Sequence, residues 1–145
     1  MSKVHKIVVG VDGSESSITA LRWSLGEARL RGSEVEVIHM WSLTPMVDPM
    51  GFVSYVPVEE IANAAKSLVE DVMKRVEEFV GKTKVSTKIT RGPAAATLLE
   101  AAKDAELLVV GRRGHGGFMG LLLGSVAEQA AHHAPCPVVI VSDEK

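Results

Sequence analysis

The sequence predicts an α/β fold: a doubly wound, five-stranded parallel sheet with helices on both faces, a three-layer sandwich. Short β-branched apolar runs recur along the chain, amphipathic helical patterns separate them, and polar or glycine-bearing turns close the runs. Strands alternating with helices in this way build parallel sheets. Periodicity does not reveal strand order; the doubly wound order is 3-2-1-4-5, counting strands along the chain.

Residues 4–11 (VHKIVVGV) are short, β-branched and followed by Asp12-Gly13-Ser14, a buried strand and then a turn. Ile18, Leu21, Leu25 and Ala28 recur at helical spacing, and Gly32 stops that helix. Residues 35–40 form the second strand. Residues 42–56 contain Pro45, Pro49 and Gly51, show no clear period, and are expected to form a long loop. Pro57 suits a first helical turn, and Glu59 and Glu60 follow where acids favour the helix dipole. Ile61, Ala65, Leu68, Val72, Val76 and Phe79 trace one apolar face down to Gly81. Residues 85–89 alternate apolar with Ser86 and Lys88, a pattern that suits a sheet edge. Gly92-Pro93 opens a short helix, residues 107–110 form the fourth strand, 125–133 the fourth helix and 137–141 the fifth strand.

The 145 residues suit one domain spanning 1–145. A formal net charge of −2 gives no electrostatic reason to expect nucleic acid or a membrane surface as partner. No apolar stretch reaches the ~18 residues a membrane helix needs. Cys136 is the only cysteine, so no intrachain disulfide forms, and a cytoplasmic location is the simplest expectation.

The most informative segment is Gly111-x2-Gly114-x9-Gly124-Ser125, which runs from the end of the fourth strand to a helix start. Glycines allow close backbone approach, and free N–H groups at a helix start face whatever anion sits there. The segment lacks the lysine of a GxxxxGK phosphate loop, and Gly10-Val11-Asp12-Gly13-Ser14-Glu15 does not match the dinucleotide fingerprint GxGxxG. In the 3-2-1-4-5 order, winding reverses between strands 1 and 4, where open sheets bind ligands. The turn at Val11, Asp12, Gly13 and Ser14 and the segment from Gly111 to Ser125 flank that point. Asp12 also suits an Asx-turn or a helix cap, and Ser125-Val126-Ala127-Glu128 fits a capping box with Ser125 as cap. Arg112, Arg113 and His115 offer phosphate contacts or a solvated loop. No His, Cys, Asp and Glu cluster has metal-ligand spacing.

IVVGVDGS near the start, the ladder of elements between, and LLVVGRRGHGGFMGLLLGSVAEQAAHHAPCPVVIV near the end resemble the universal stress protein family over nearly the whole length. The Gly/Ser pattern resembles its ATP-binding branch. That resemblance implies a Rossmann-like or flavodoxin-like sheet, a stress-response role, bound ATP, and a homodimer paired through the last strands. Mg²⁺ held mainly by the phosphates suits such a site. The resemblance places Asp12, with Val11, Gly13 and Ser14 in its turn, at the adenine or ribose end. Met40, at the end of strand 2, would give backbone contacts to the base. Gly111 and Gly114 would wrap the ribose and phosphates, and Gly124, Ser125 and Val126 would hold the phosphates. Arg112 departs from the small hydroxyl residue common after the first glycine. The alternatives are a slow ATPase or self-phosphorylating enzyme, and a binder of AMP or cyclic AMP. Efficient turnover is not expected without a phosphate-loop lysine or paired catalytic carboxylates.

Overall fold

The computed structural model describes residues 5–43, 45–113 and 123–142. The first strand, β1 (Lys6–Gly10), carries Ile7, Val8 and Val9 with no exposed surface, each stabilised by roughly 1.5–3 kcal/mol on burial. Helix α1 (Glu15–Arg31) follows and ends at Gly32, the residue that interrupts the apolar period. Its sheet-facing side is built from Ile18, Leu21, Leu25 and Ala28 together with Ser16, Ser17 and Ser24. These small hydroxyl residues let the helix lie close to the sheet. The Ser24 hydroxyl is satisfied by donating to the Ala20 carbonyl at 2.8 Å.

Strand β2 (Glu34–Trp41) pairs in parallel with β1 from Glu34 opposite Lys6 to Ile38 opposite Gly10. It runs one residue past Met40. The expected long loop contains instead a small antiparallel hairpin, β3 (Pro45–Val47) and β4 (Val53–Tyr55). Its turn is organised by Asp48, whose carboxylate accepts from the amides of Met50 and Phe52 at 2.9 Å each. The Gly51 amide donates to the Asp48 carbonyl at 3.0 Å. Helix α2 (Val58–Val80) then buries Ala65, Val69, Val72 and Val76.

Strand β5 (Val85–Arg91) is the largely exposed sheet edge, pairing with β2, and extends two residues beyond the expected Ile89. Helix α3 (Ala94–Ala101), strand β6 (Leu107–Gly111), helix α4 (Ser125–His133) and strand β7 (Val138–Val141) complete the order. The main sheet is parallel and runs β5-β2-β1-β6-β7, the doubly wound order once the hairpin strands are set aside. Alternate residues of the central strands feed two cores. Ile7, Val9, Val35, Val37 and Val109 pack with α1 and α2; Val8, Ile38, Leu108 and Val110 pack with α3 and α4. After the edge strand β5 the chain crosses back past β2 and β1 to β6, on the far side of β1, so the winding reverses between β1 and β6.

Candidate functional site

At the carboxyl end of β1 the chain turns sharply through Val11, Asp12 and Gly13 into α1. Gly13 sits at φ +83°, in the left-handed region, with the Leu68 side chain 3.2 Å from where a Cβ would stand. The Asp12 carboxylate accepts from the Ser14 amide at 2.9 Å, closing an Asx-turn. Ser14, not Asp12, caps α1, its hydroxyl accepting from the Ser17 amide at 3.2 Å. Ser17 returns the constraint, donating its hydroxyl to the Ser14 carbonyl at 2.9 Å and accepting from the Asp12 amide at 3.3 Å. The turn is therefore held by a local network before any ligand arrives.

The end of β2 is tied to this turn from the side. The Val11 amide donates to the Ile38 carbonyl at 2.9 Å, and the buried His39 ring places Nδ1 2.8 Å from the Val11 carbonyl. Since that carbonyl only accepts, Nδ1 carries the proton. His39 lies in β2 and is buried. Its bond across 28 positions in sequence is not a signal that spacing reveals. Met40 lies next in β2, half-buried, opposite Thr90 of β5 and packed against the α3 and α4 side of the sheet.

The end of β6 approaches the same turn from the other side. Gly111 packs directly on the first turn of α1: a Cβ there would lie 2.6 Å from the Ser16 hydroxyl and 2.8 Å from its carbonyl carbon and oxygen. Its backbone is not in the left-handed region, so the glycine here is required by space rather than by a turn. The next residues extend the contact. The Arg112 amide donates to the Val141 carbonyl at 2.9 Å, and the Arg113 amide donates to the Ser16 hydroxyl at 3.3 Å. The Arg113 Nε atom is buried and has no hydrogen-bond partner.

Gly124 then brings the chain back, its amide donating to the Arg112 carbonyl at 2.8 Å. This bond sets the start of α4 beside the end of β6. The capping-box expectation is corrected here. The cap residue is Gly124, with no side-chain cap bond, and Ser125 is the first helical residue, exposed to solvent. The first intrahelical bond runs from the Glu128 amide to the Gly124 carbonyl at 3.0 Å. The amides of Ser125, Val126 and Ala127 therefore precede the helix's own acceptors, leaving the usual anion-attracting donors at a helix start.

Val11, Asp12, Gly13, Ser14, Gly111, Arg112, Arg113, Gly124, Ser125 and Val126 are thus gathered through Ser16 and the Arg112–Gly124 bond. Gly114 and His115 lie outside the described residues. Among the described residues, no group of three or more His, Cys, Asp or Glu side chains could hold a metal ion.

The model of the universal stress protein family matches residues 3–142. The chain belongs to the universal stress protein family. Over 136 residues it is 35% identical to a universal stress protein of Mycolicibacterium smegmatis, covering 93% of this chain and 45% of that protein. The chain spans about half the length of the curated family members it matches. The solved UspA structure from Lactobacillus plantarum superposes with a TM-score of 0.76 at 23% identity, covering 97% of this chain and 99% of that one. A family member solved in complex with cAMP superposes with a TM-score of 0.70 at 25% identity, covering 99% of this chain and all of that one (100%). Among the described residues, no helix of this family member is long and apolar enough to cross a membrane.

Proposed function

We propose that this chain is a nucleotide-responsive regulatory protein that binds ATP between the carboxyl ends of β1 and β6. The observation that carries the proposal is the side-chain-free start of α4, tied through Arg112 to the end of β6 and, through Ser16, to the Asp12 turn. A helix start with a glycine cap and an exposed serine suits phosphate oxygens. The buried, unpartnered Nε of Arg113 fits the same chemistry, since a guanidinium forks well to phosphate. The cAMP complex of a family member supports adenine as the base.

In this reading the Asp12 turn, braced by Ser14, Ser17 and His39, orients the base and ribose end. Ser125 and the amides of Val126 and Ala127 hold the phosphates, and Arg113 offsets their charge. Mg²⁺, where present, would be held mainly by the phosphates. The open edge of β7, whose valines are only half-buried, is the surface through which two copies would pair.

The test is direct. Mass spectrometry of nucleotide released from the purified, denatured protein is expected to find ATP; AMP or cyclic AMP alone would reassign the ligand. Gly124→Val is expected to weaken ATP binding in calorimetry while leaving the circular dichroism spectrum intact. Unchanged affinity would overturn the site assignment.

A further inference from the structure

Strand β5 is the sheet edge opposite β7, and among the described residues no strand pairs with its outer side. In a parallel strand the N–H and C=O of one residue point to the same neighbour, and successive residues alternate sides. The Val35 amide donates to the Lys84 carbonyl at 3.0 Å and the Gly92 amide to the Trp41 carbonyl at 3.0 Å, so the even-numbered residues between them face β2. The backbone groups of Val85, Thr87, Ile89 and Arg91 therefore point outward, a ladder of donors and acceptors that the sheet leaves open. Side chains alternate as well, across the two faces of the sheet. Val85 packs toward α1 and α2, so Thr87 and Ile89 share that face, and Ile89 is 36% exposed. Ser86, Lys88 and Thr90 share the other face, with Lys84 just before them. There Lys88 lines an open cleft of about 550 Å³ together with Pro93, Ala96 and Thr97 at the start of α3.

We propose that the β5 edge takes up, as an added strand, an extended segment of a partner protein in which acidic residues alternate with β-branched ones. Charge selects that occupant. Residues 81–93 carry Lys82, Lys84, Lys88 and Arg91 and no acid, in a chain whose formal net charge is −2. Lys84 pairs with Glu34 at 3.3 Å. Among the described residues, Lys82, Lys88 and Arg91 form no ion pair. A second copy paired here about a twofold axis would set these cations against their own counterparts, which disfavours self-pairing. An acidic strand meets both demands of the edge. Its backbone completes the ladder, its carboxylates on one face reach Lys84 and Lys88, and its β-branched side chains on the other lie beside Thr87 and Ile89. The cleft leaves room for the carboxylate-bearing side chains next to Lys88. Its own acids do not cancel the attraction: Glu36 pairs with Lys6 at 3.7 Å and Glu100 with Lys103 at 2.7 Å. Asp104 belongs to the turn leading into β6, and both β2 and β1 stand between β6 and this edge.

Titrating the ¹⁵N-labelled full chain with the peptide Glu-Val-Glu-Thr-Glu-Val-Glu tests this. The expected result is saturable shifts in the amides of Val85, Thr87, Ile89 and Arg91 that exceed those of Ser86 and Lys88. Fluorescence anisotropy with the labelled peptide separates ladder from charge. Thr87→Pro keeps the charge and removes an amide that β2 does not use; it is expected to weaken binding about tenfold, with an unchanged circular dichroism spectrum. Thr87→Val keeps the amide and is expected to bind as wild type does. Lys88→Glu is expected to weaken binding several-fold, by less as salt is raised. No saturable shift at millimolar peptide, equal binding of the peptide with lysine in place of glutamate, an unchanged affinity in Thr87→Pro, or polyuridylate shifting the same amides would each overturn the proposal.

Discussion

Replacing Gly111 by alanine tests whether space, rather than backbone freedom, dictates the glycine at the end of β6. The added Cβ would stand 2.6 Å from the Ser16 hydroxyl and 2.8 Å from the Ser16 carbonyl carbon and oxygen. Two of those three atoms are backbone in the first turn of α1, and the third accepts the Arg113 amide bond. The two backbone atoms cannot move without shifting α1 from the sheet. Overpacking of this kind costs about 1–3 kcal/mol, and backbone obstruction places Gly111→Ala in the upper half, about 2–3 kcal/mol. At roughly 4 °C per kcal/mol for a domain of this size, the Tm falls by about 8–12 °C. Thermal unfolding by circular dichroism, paired with a urea titration to confirm an unchanged m value, measures it. Adding Ser16→Ala removes the hydroxyl but not the carbonyl, so less than half of the loss is recovered. A single variant melting within about 2 °C of wild type, or complete recovery in the double variant, would refute the packing argument.

Two further substitutions and one titration follow from the site. Ser14→Ala removes the hydroxyl that caps α1 and costs about 1 kcal/mol, or about 4 °C, whereas Ser125→Ala removes no cap and leaves the Tm within about 2 °C. In calorimetry Ser125→Ala is expected to weaken the proposed ATP binding about tenfold, the loss of one hydrogen bond to a charged group; an equal Tm loss in both variants would return Ser125 to a capping role. Burial pushes the Cys136 thiol above its usual value, so the neutral form is favoured in the folded chain. That contribution to stability is complete below the unfolded thiol's pKa and fades as pH rises through the folded one. Iodoacetamide labelling of Cys136 should therefore show a pH midpoint higher in native protein than in urea; a lower native midpoint would contradict it.

The sheet is legible in the sequence because its central strands are buried on both faces and read as continuous apolar runs, 7–9 and 107–110 above all. The polar alternation of β5 correctly marks an edge for the same reason. The hairpin is harder to see. Three-residue strands give no period, and Pro45 and Pro49 suggest a loop. A signal is nonetheless present: Asp48, Pro49 and Gly51 occupy the first, second and fourth positions of a β-turn, which the Gly51–Asp48 bond completes. In the site, the glycine-rich segment and the Asp12 turn are legible, but their cause is not always. Gly111 answers to Ser16, 95 positions away, and His39 to Val11; both contacts exist only once the chain is folded. Helix α4 begins at Ser125 as the sequence suggests, but its cap is Gly124 rather than Ser125, because both are acceptable caps and only backbone geometry separates them.

The bond between the Arg112 carbonyl and the Gly124 amide has a consequence for how this scaffold tolerates change. The bond fixes Arg112 and Gly124 at one point, and the Arg113 amide bonded to the Ser16 hydroxyl holds that point against α1. For a flexible segment, doubling the chain length between two ends fixed in this way costs only about 0.6 kcal/mol of closure entropy. A change of length between those two ends therefore makes little demand on β6 or α4. Recognition can diversify there while the frame that presents it stays unaltered.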